Sequence, residues 1–384
     1  MTTDIAILTN LYLNPENPTQ TGIGGVETWI GEFAKLLISM GYDPVIFQSS
    51  VKQFKLKYKD VLVIGTGEMD SHKASKVSHK EIEKRHIERI VYATSFVGES
   101  DFVPGQIFIQ HGIHWDYTDK RPNFFKRLKW ERIRRKLSRH DLEMYRKSML
   151  TIAVDTSFIN YARISLGHHF DENKISYIPN FAIAQEKTKW MDKWEQSEQI
   201  NIVFARRFVS RRGVHPFANA VEDLLSSHPQ MNVLIAGTGP AENHLRHKFR
   251  NTEQVVIREI PHEEMAKHLN RMHIAVIPST YSEGTSLSCL EAMASGCAVI
   301  ASNIGGLGNI VLPDFNGLLI KPTSMEIKQA ITHLFNDMKK AKDLALNGHD
   351  TIRQAFSLAY WRKRLYKALI DAGVKDLSKN RIEF

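Results

Sequence analysis

The chain has 384 residues, of which 42% are hydrophobic and 24% charged, and it contains 22 glycines and 13 prolines. This composition is typical of a globular protein of about two domains, and it excludes a collagen-like, low-complexity or wholly disordered chain. The 51 Lys and Arg residues outnumber the 42 Asp and Glu residues, so the formal net charge is +9, which indicates a partner with a negative surface.

The composition also bears on location. Two cysteines exclude a disulfide framework and favour a reducing compartment. No apolar run approaches the ~18 residues of a membrane span, and the start MTTDIAILTN has an acid where a secretory signal is basic. We therefore expect a cytoplasmic protein.

The first half of the chain alternates short apolar runs with segments of helical periodicity. After the run at 4–10 and a loop, apolar residues recur at helical spacing from Val26 to Leu37, and Gly41 is typical of a helix C-terminus. The next run, 43–49, completes a strand–helix–strand unit of the kind found in parallel sheets. Further strands are predicted at 61–65, 90–94, 106–110, 150–154 and 174–179.

The same alternation restarts in the second half. Residues 182–199 are polar and have no clear strand pattern, so they are predicted to be a linker. Strands are then predicted at 201–205, 231–237, 254–260, 273–278, 297–302 and 317–320, with a helical tail after 323. We therefore expect an α/β protein with two Rossmann-like doubly wound domains facing a central cleft, and ligands at the carboxyl ends of the strands. The domains would span 1–181 and 200–355.

One segment carries the charge excess. Residues 120–147 contain twelve basic and three acidic residues, and the difference equals the net charge of the whole chain. Aromatic and aliphatic residues are interleaved with these charges, which favours a helix on an anionic membrane surface. The residues predicted to contact it are Phe124, Phe125, Lys126, Arg127, Trp130, Arg134 and Arg135. Nucleic acid would use the same charge, but no recognised nucleic-acid module accompanies it, and a solvated helix face is the remaining alternative.

The most informative segment is 282–302, where Glu283 and Glu291 stand eight positions apart. Between them Gly284, Thr285 and Ser286 are predicted to open a helix, whose N-terminal N–H groups suit a diphosphate. Glu283, at the mouth of the loop, is placed to accept hydrogen bonds from sugar hydroxyls. Glu291, about two turns on, is placed to hold a ribose diol.

This segment resembles the E-x7-E signature of retaining glycosyltransferases of family 4, which have the GT-B fold. The typical form there is E-G-[FT]-[GS]-L-x-x-L-E-A-M-A-x-G. The chain matches it at nine positions: Glu283, Gly284, Leu287, Leu290, Glu291, Ala292, Met293, Ala294 and Gly296. Thr285 and Ser286 stand where Phe and Gly are commonest, and they resemble a recurrent variant.

Two segments resemble the family's contacts to the donor phosphates. Gly24 and Gly25, in the segment 21–47, resemble the Gly-Gly loop before the first helix, which implies a close backbone approach to the donor diphosphate or the acceptor. The segment 201–214 resembles G-R-x-x-x-x-K-G: Arg207 matches the Arg and Arg212 replaces the Lys. Arg206 stands where Gly is usual.

Three further segments follow in the family's order. Gly237 and Gly239 resemble its G-x-G-P turn, and 255–269 resembles the segment whose backbone contacts the nucleobase, which implicates Ile257 and Arg258. Arg258 stands where Gly is usual. The segment 109–116 resembles the strand end of the acceptor domain. It carries His111, which would contact the donor sugar, and residues that would shape the acceptor cleft, namely His114, Trp115 and Asp116.

The resemblance implies retaining transfer of a sugar from a nucleotide diphosphate sugar to a hydroxyl of a glycan or glycolipid. The implied context is bacterial surface polysaccharide or lipopolysaccharide synthesis at the inner face of the membrane. The first domain would bind the acceptor and the second the donor, with a C-terminal helix, 356–384, crossing back to the first. The chain has no Asp-x-Asp, so we expect no metal and no other cofactor, and catalysis by Glu283, Arg207, Arg212 and His111.

Other functions remain open from the sequence. A nucleotide-sugar epimerase or a phosphorylase would share the fold. The E-x7-E pattern argues against the first, and no evident cofactor-lysine motif supports the second. A basic α/β protein that binds membrane or nucleic acid without catalysis is the alternative outside enzymes. It predicts that Glu283→Ala leaves function intact, whereas the glycosyltransferase hypothesis predicts loss of transfer from a folded protein.

Overall fold

The computed structural model describes residues 4–19, 24–95, 102–116, 124–196 and 199–378. The chain forms two compact units, Met1–Pro179 together with Ala359–Phe384, and Asn180–Leu358. Each unit contains one sheet with helices.

The first unit contains an eight-stranded sheet. Its strands are β1 Asp4–Thr9, β2 Asp43–Gln48, β3 Gln53–Tyr58, β4 Val61–Thr66, β5 Arg89–Tyr92, β6 Ile107–Gln110, β7 Leu150–Ala153 and β8 Ile175–Tyr177. They lie in the order β3-β4-β2-β1-β5-β6-β7-β8, and the β3–β4 pair alone is antiparallel among them. The helices of this part are α1 Gly25–Ser39, α2 Ser71–Lys84, α3 Phe124–Lys147 and α4 Thr156–Leu166.

The second unit contains a six-stranded parallel sheet. Its strands are β9 Ile200–Ala205, β10 Met231–Ala236, β11 Val255–Arg258, β12 Ile274–Ile277, β13 Ala298–Ser302 and β14 Leu318–Ile320, in the order β11-β10-β9-β12-β13-β14. Its helices are α5 Asp192–Gln196, α6 Val214–Leu225, α7 Glu242–Lys248, α8 His262–Leu269, α9 Leu287–Ala294, α10 Ser324–Asn336 and α11 Met338–Ala355. Neighbouring residues of β9 belong to different core clusters, Phe204 to one and Val203 to the other, so this strand is apolar on both faces.

The last helix, α12 Leu358–Asp371, packs within the first unit. The ring of Trp361 lies 5.3 Å from that of Trp29 on α1, in an edge-to-face arrangement. Arg362 donates a hydrogen bond of 2.6 Å from Nη2 to Glu32. The segment 356–384, expected to cross back, therefore contains a helix that contacts α1.

Every apolar run predicted as a strand contains one, but the sequence analysis missed β3. This strand alternates exposed and half-buried residues, with Lys55 and Lys57 exposed, because it is an edge strand that pairs only with β4. The segment QFKLKY contains no continuous apolar run, but its alternation with a period of two residues is typical of an edge strand.

The described part of the predicted linker, 182–199, contains residues that pack against the second unit. Trp190 is 1% exposed, and Trp194 donates from Nε1 to the Gly296 carbonyl at 3.1 Å. Lys193 donates from Nζ to the Ser295 carbonyl at 3.0 Å, at the C-terminal end of α9. The tryptophans place this polar segment against the second unit.

The basic segment forms the long helix α3, but its apolar residues are not collected on one side. Only the second half of α3 is packed, with Asp141, Leu142 and Tyr145 buried. In the first half Leu128 and Ile133 are exposed together with the arginines, whereas Trp130 is half-buried. Among the described residues, no helix has the length and hydropathy needed to cross a bilayer.

Candidate active site

The candidate site lies at the carboxyl ends of β9 and β12. These two strands are neighbours, and the chain leaves them toward opposite edges of the sheet, through β10 and β11 on one side and β13 and β14 on the other. Such a reversal of strand order opens a crevice where doubly wound sheets bind ligands. Arg206 follows β9 directly, and Glu283 lies in the loop between β12 and α9.

Glu283 is held by two arginines and a hydroxyl. Arg206 donates from Nη2 to both carboxylate oxygens, at 2.5 and 2.7 Å. Arg212 forms an ion pair with Oε1, and the Ser279 hydroxyl donates to the same oxygen. Arg206 also donates from Nη1 to Ser279 Oγ at 2.7 Å. We call these four residues the Glu283 cluster.

Burial makes the charges of this cluster interdependent. The side chains of Arg206 and Glu283 are 4% and 6% exposed, whereas that of Arg212 is 24% exposed. Burial acts to raise the pKa of Glu283, but the two arginines outweigh it and lower that pKa to about 2. Burial also lowers the pKa of Arg206 to about 10, although Glu283 opposes it. At neutral pH two cations therefore face one anion, and the cluster carries one net positive charge.

The backbone around Glu283 is fixed from a neighbouring loop. Gly306 donates its N–H to the Glu283 carbonyl at 2.7 Å. Gly305 has a φ of +54°, and a Cβ there would lie 2.5 Å from that carbonyl oxygen. Only glycine permits both the conformation and the contact.

The residues predicted to open the next helix lie just before it. Gly284, Thr285 and Ser286 form the approach to α9, which begins at Leu287. Ser286 is the N-cap of α9, but its side chain makes no capping hydrogen bond. The positive end of the helix dipole is therefore not compensated by that side chain. Asn180 donates from Nδ2 to the Thr285 carbonyl at 2.6 Å and so supports this approach.

Glu291 lies about one turn into α9 and belongs to a separate pair. His262 Nε2 is 3.9 Å from its Oε1, and 28% of the Glu291 side chain is exposed. Burial raises the pKa of Glu291, and the interaction with His262 acts in the opposite direction. Glu291 is not a member of the Glu283 cluster.

The predicted glycine turn brings two loops of the second unit together. Gly237 and Gly239 have φ values of +143° and +146°, and a Cβ at Gly237 would lie 2.2 Å from the Arg206 carbonyl oxygen. Gly237 also donates its N–H to the Arg258 carbonyl at 3.0 Å. The turn after β10 therefore links the backbone of Arg206 with the end of β11, where Ile257 is half-buried and Arg258 exposed.

The arginines that contact Glu283 are not the same pair as the two that the sequence predicted to be catalytic. Arg212 lies in the Glu283 cluster, and Arg207, predicted to be catalytic, is exposed. Arg206, which the sequence analysis gave no role, makes the most hydrogen bonds to Glu283. Alternation along β9 could not have identified Arg206, because both faces of this strand are buried.

His111 lies in the first unit, after β6. Its Nε2 is buried and has no hydrogen-bond partner within the part of the chain that the structure describes. Burial lowers the pKa of His111 to about 4, although a hydrogen bond to the Ala93 backbone opposes this, so the ring is neutral at pH 7. The ring packs edge-on against Trp29 of α1 at 5.5 Å, and Gly24 and Gly25, exposed, begin that helix.

The three residues predicted to shape the acceptor cleft differ in exposure. Trp115 is 5% exposed and packs in a cluster with Phe158, so it serves as a core side chain here. His114 is half-buried, and burial lowers its pKa to about 4. Asp116 is also half-buried.

The residues predicted to contact a membrane lie on α3. The side chains of Phe124, Phe125 and Lys126 are outside the described residues, although their backbone is helical. Arg127, Arg134 and Arg135 are exposed and Trp130 is half-buried. Arg134 forms an ion pair of 3.1 Å with Glu131.

Comparison with known proteins shows what the second unit is similar to. Residues 186–351 match the family model described as Glycosyl transferases group 1, and this range contains the whole Glu283 cluster and α9. An uncharacterized glycosyltransferase of Methanocaldococcus jannaschii, MJ1178, is 31% identical over 159 residues, which cover 38% of this chain and 42% of that protein. The chain spans less than half the length of the curated relatives it matches first.

Solved structures show the fold of the whole chain. WaaG, a glycosyltransferase involved in lipopolysaccharide biosynthesis, has a TM-score of 0.73 at 14% identity, covering 96% of this chain and 100% of that one. Alr3699/HepE of Anabaena, in complex with UDP and glucose, has a TM-score of 0.68 at 16% identity, covering 96% and 99%. The predicted two-domain α/β fold of the GT-B type is confirmed.

Proposed function

We propose that this protein is a retaining glycosyltransferase of family 4 that moves a sugar from a nucleotide diphosphate sugar to a hydroxyl of a glycan or glycolipid. The observation that carries the proposal is the Glu283 cluster at the strand reversal beside the N-terminus of α9. It combines a fixed carboxylate for the sugar hydroxyls with net positive charge for a diphosphate. The match of residues 186–351 to a glycosyltransferase family supports it.

The donor would lie along the carboxyl ends of the second sheet. Its diphosphate would contact Arg212 and the first turn of α9, with Arg207 nearby in sequence. The nucleobase would lie at the Ile257–Arg258 end of β11, and Glu291 would accept hydrogen bonds from the ribose. The Anabaena protein Alr3699/HepE, which forms a complex with UDP and glucose, supports a donor of this class.

The transfer would proceed without a metal or other cofactor. The bond between the anomeric carbon and the diphosphate oxygen breaks, and the bond to the acceptor oxygen forms on the same face of the sugar. The acceptor proton passes to an oxygen of the departing phosphate. Glu283, ionised and held by three partners, would bind the sugar instead of attacking it, while the arginines stabilise the charge that develops on the diphosphate.

The cellular setting is a second part of the proposal. Arg132, Arg135 and Arg139 are exposed on α3, and at helical spacing they share one face with the exposed Leu128, which suits reversible docking on an anionic membrane. Such docking would place a cytoplasmic enzyme beside a lipid-linked acceptor in surface polysaccharide or lipopolysaccharide synthesis. The role of WaaG in lipopolysaccharide biosynthesis supports this setting.

Calorimetric titration with UDP, GDP and dTDP tests the donor site. We expect micromolar binding of one of the three by the wild-type protein and clear weakening in Arg212→Gln. Arg250→Gln is the matched control, because it removes an exposed arginine of the same unit. Absence of binding by all three nucleotides to a folded wild-type protein would contradict the proposal.

The chemistry is tested by slow hydrolysis of the nucleotide sugar that corresponds to the bound nucleotide. NMR spectra recorded before mutarotation should show the released sugar in the anomeric configuration of the donor. The rate should be the same with and without EDTA. An inverted product contradicts retention, and loss of activity in EDTA that added Mg²⁺ restores contradicts metal independence.

A further inference from the structure

The two arginines that hold Glu283 are attached to the fold in different ways. Arg206 is the first residue after β9, its side chain is 4% exposed, and it donates to both oxygens of Glu283 and to Ser279. Arg212 ends a short 3₁₀ turn, Ser210–Arg212, and its side chain is 24% exposed. Arg206 therefore has a fixed position, whereas Arg212 has access to solvent and to an incoming ligand.

Because Glu283 contacts two arginines, one of them can leave it without leaving the carboxylate unpaired. A buried carboxylate needs a cation, but Glu283 has two, and Arg206 alone contacts both oxygens through Nη2. Ser279 adds a hydroxyl donor. If Arg212 leaves, Glu283 keeps a paired and hydrogen-bonded environment.

We propose that Arg206 is a positioning residue that keeps Glu283 paired and oriented, so that Arg212 can transfer from Glu283 to the diphosphate when the donor binds. This inference rests on the proposed function, because it names the group that Arg212 contacts. Without Arg206, Glu283 would retain Arg212 as its remaining cation, and the carboxylate and the diphosphate would compete for one guanidinium.

The competition predicts opposite effects on nucleotide affinity for two variants that each remove one charge of the cluster. Arg206→Gln should weaken binding of the nucleotide that wild type prefers among UDP, GDP and dTDP, by about tenfold at pH 8, since Arg212 is then tied to Glu283. Glu283→Gln should bind the same nucleotide at least as tightly as wild type, because both arginines lose their anion. Both variants should lose turnover, by about 100-fold for Arg206→Gln if Glu283 shifts by about 1 Å.

A pH profile separates positioning from general damage. In wild type the pKa of Glu283 is about 2, so the hydrolysis rate should show no acid limb from this group between pH 5 and 8. Removing Arg206 raises the pKa of Glu283, because the first cation that opposes burial is lost. The hydrolysis rate of Arg206→Gln should therefore fall toward pH 5. Its nucleotide affinity, relative to that of wild type at the same pH, should recover there, because protonated Glu283 no longer competes for Arg212. Arg206→Lys should restore the wild-type profile, and Arg250→Gln should leave every parameter unchanged.

Ser279→Ala is the milder variant if Arg206→Gln does not fold. It removes the hydroxyl that connects Arg206 Nη1 to Glu283 and leaves all charges in place, so we expect reduced turnover with unchanged nucleotide affinity. The inference is overturned if Arg206→Gln, or Ser279→Ala where only that variant folds, has the turnover and pH profile of wild type. Failure of wild type itself to bind any of the three nucleotides would instead refute the proposed function.

Discussion

The guanidinium of Arg206 contacts both carboxylate oxygens of Glu283, at 2.5 and 2.7 Å, in a site where each side chain is almost completely buried. Such a pair contributes little by comparison with well-packed apolar residues, but breaking it is costly, since the remaining charge stays buried. Glu283 therefore affects stability, in addition to the sugar-binding role proposed for it.

Glu283→Ala should consequently lose both activity and stability. It leaves Arg206 buried without its anion, and such losses cost about 3–5 kcal/mol in free energy of unfolding. Glu283→Gln keeps the shape and part of the hydrogen bonding, so it should be the more stable of the two and equally inactive. Urea unfolding and donor hydrolysis, measured on both variants, check this. Equal hydrolysis rates of Glu283→Gln and wild type would contradict the role proposed for Glu283.

Acid should weaken the protein through the same carboxylate. The pKa of Glu283 is about 2 in the folded protein and near 4.5 when unfolded, so the unfolded state binds the proton first. The stabilisation is present above about pH 4.5 and is lost as the pH falls toward 2, by about 3 kcal/mol in all. The free energy of unfolding of wild type should fall more steeply than that of Glu283→Gln over this range. Parallel curves for the two proteins would contradict the assignment.

The sequence predicted most of the fold because parallel strands buried on both faces leave continuous apolar runs. It missed β3, whose single strand neighbour leaves lysines exposed, and the polar composition of 182–199 did not reveal the tryptophans that pack part of this segment against the second unit. Trp190 is 1% exposed, and Trp194 donates a hydrogen bond to the Gly296 carbonyl. The packing of this segment depends on a few large side chains, which its average polarity does not reveal.

The candidate site was predictable as far as the motifs extend. Glu283 was found from its position before a predicted helix and Arg212 from the family resemblance, and they meet in one cluster. Arg206 was missed, because the resemblance has glycine at that position and a motif says nothing about a side chain that it lacks. The contact depends on how the ends of β9 and β12 lie side by side, which requires the sheet order.

Gly213 should be intolerant of a side chain. It has a φ of +76°, and a Cβ would lie 1.8 Å from the Pro278 carbonyl oxygen. Gly105 has nearly the same φ, +75°, but a Cβ there would meet no atom of the described residues within 4 Å, so it is the matched control. Gly105→Ala should cost about 1–2 kcal/mol from the backbone alone. Gly213→Ala should cost clearly more and should also lower donor turnover, since Gly213 adjoins Arg212. Urea unfolding gives the comparison, and equal losses would contradict the steric argument.

Asp141 should destabilise the folded protein at neutral and alkaline pH. Burial raises its pKa to about 7, although hydrogen bonds from Gln110 and Ser95 act against this. Because the folded pKa exceeds the ordinary value near 3.8, the contribution of Asp141 to stability declines as the pH rises from about 4 to about 7. The free energy of unfolding of wild type should therefore fall relative to that of Asp141→Asn as the pH rises across that range. A difference that is independent of pH would show that Asp141 ionises normally.

Charge reversal on α3 should abolish binding to anionic vesicles. Arg132, Arg135 and Arg139 are exposed, and each basic residue near such a surface contributes about 1 kcal/mol, so replacing all three by Glu removes attraction and adds repulsion. The matched control replaces the exposed Lys52, Lys55 and Lys80 by Glu, which changes the net charge equally at other positions. Co-sedimentation with vesicles containing anionic lipid, compared with neutral vesicles, separates the two. Because the attraction is electrostatic, wild type and control should bind the anionic vesicles alone, and the α3 variant should bind neither kind. Equal loss in both variants would mean that net charge, and not this helix, governs the attraction.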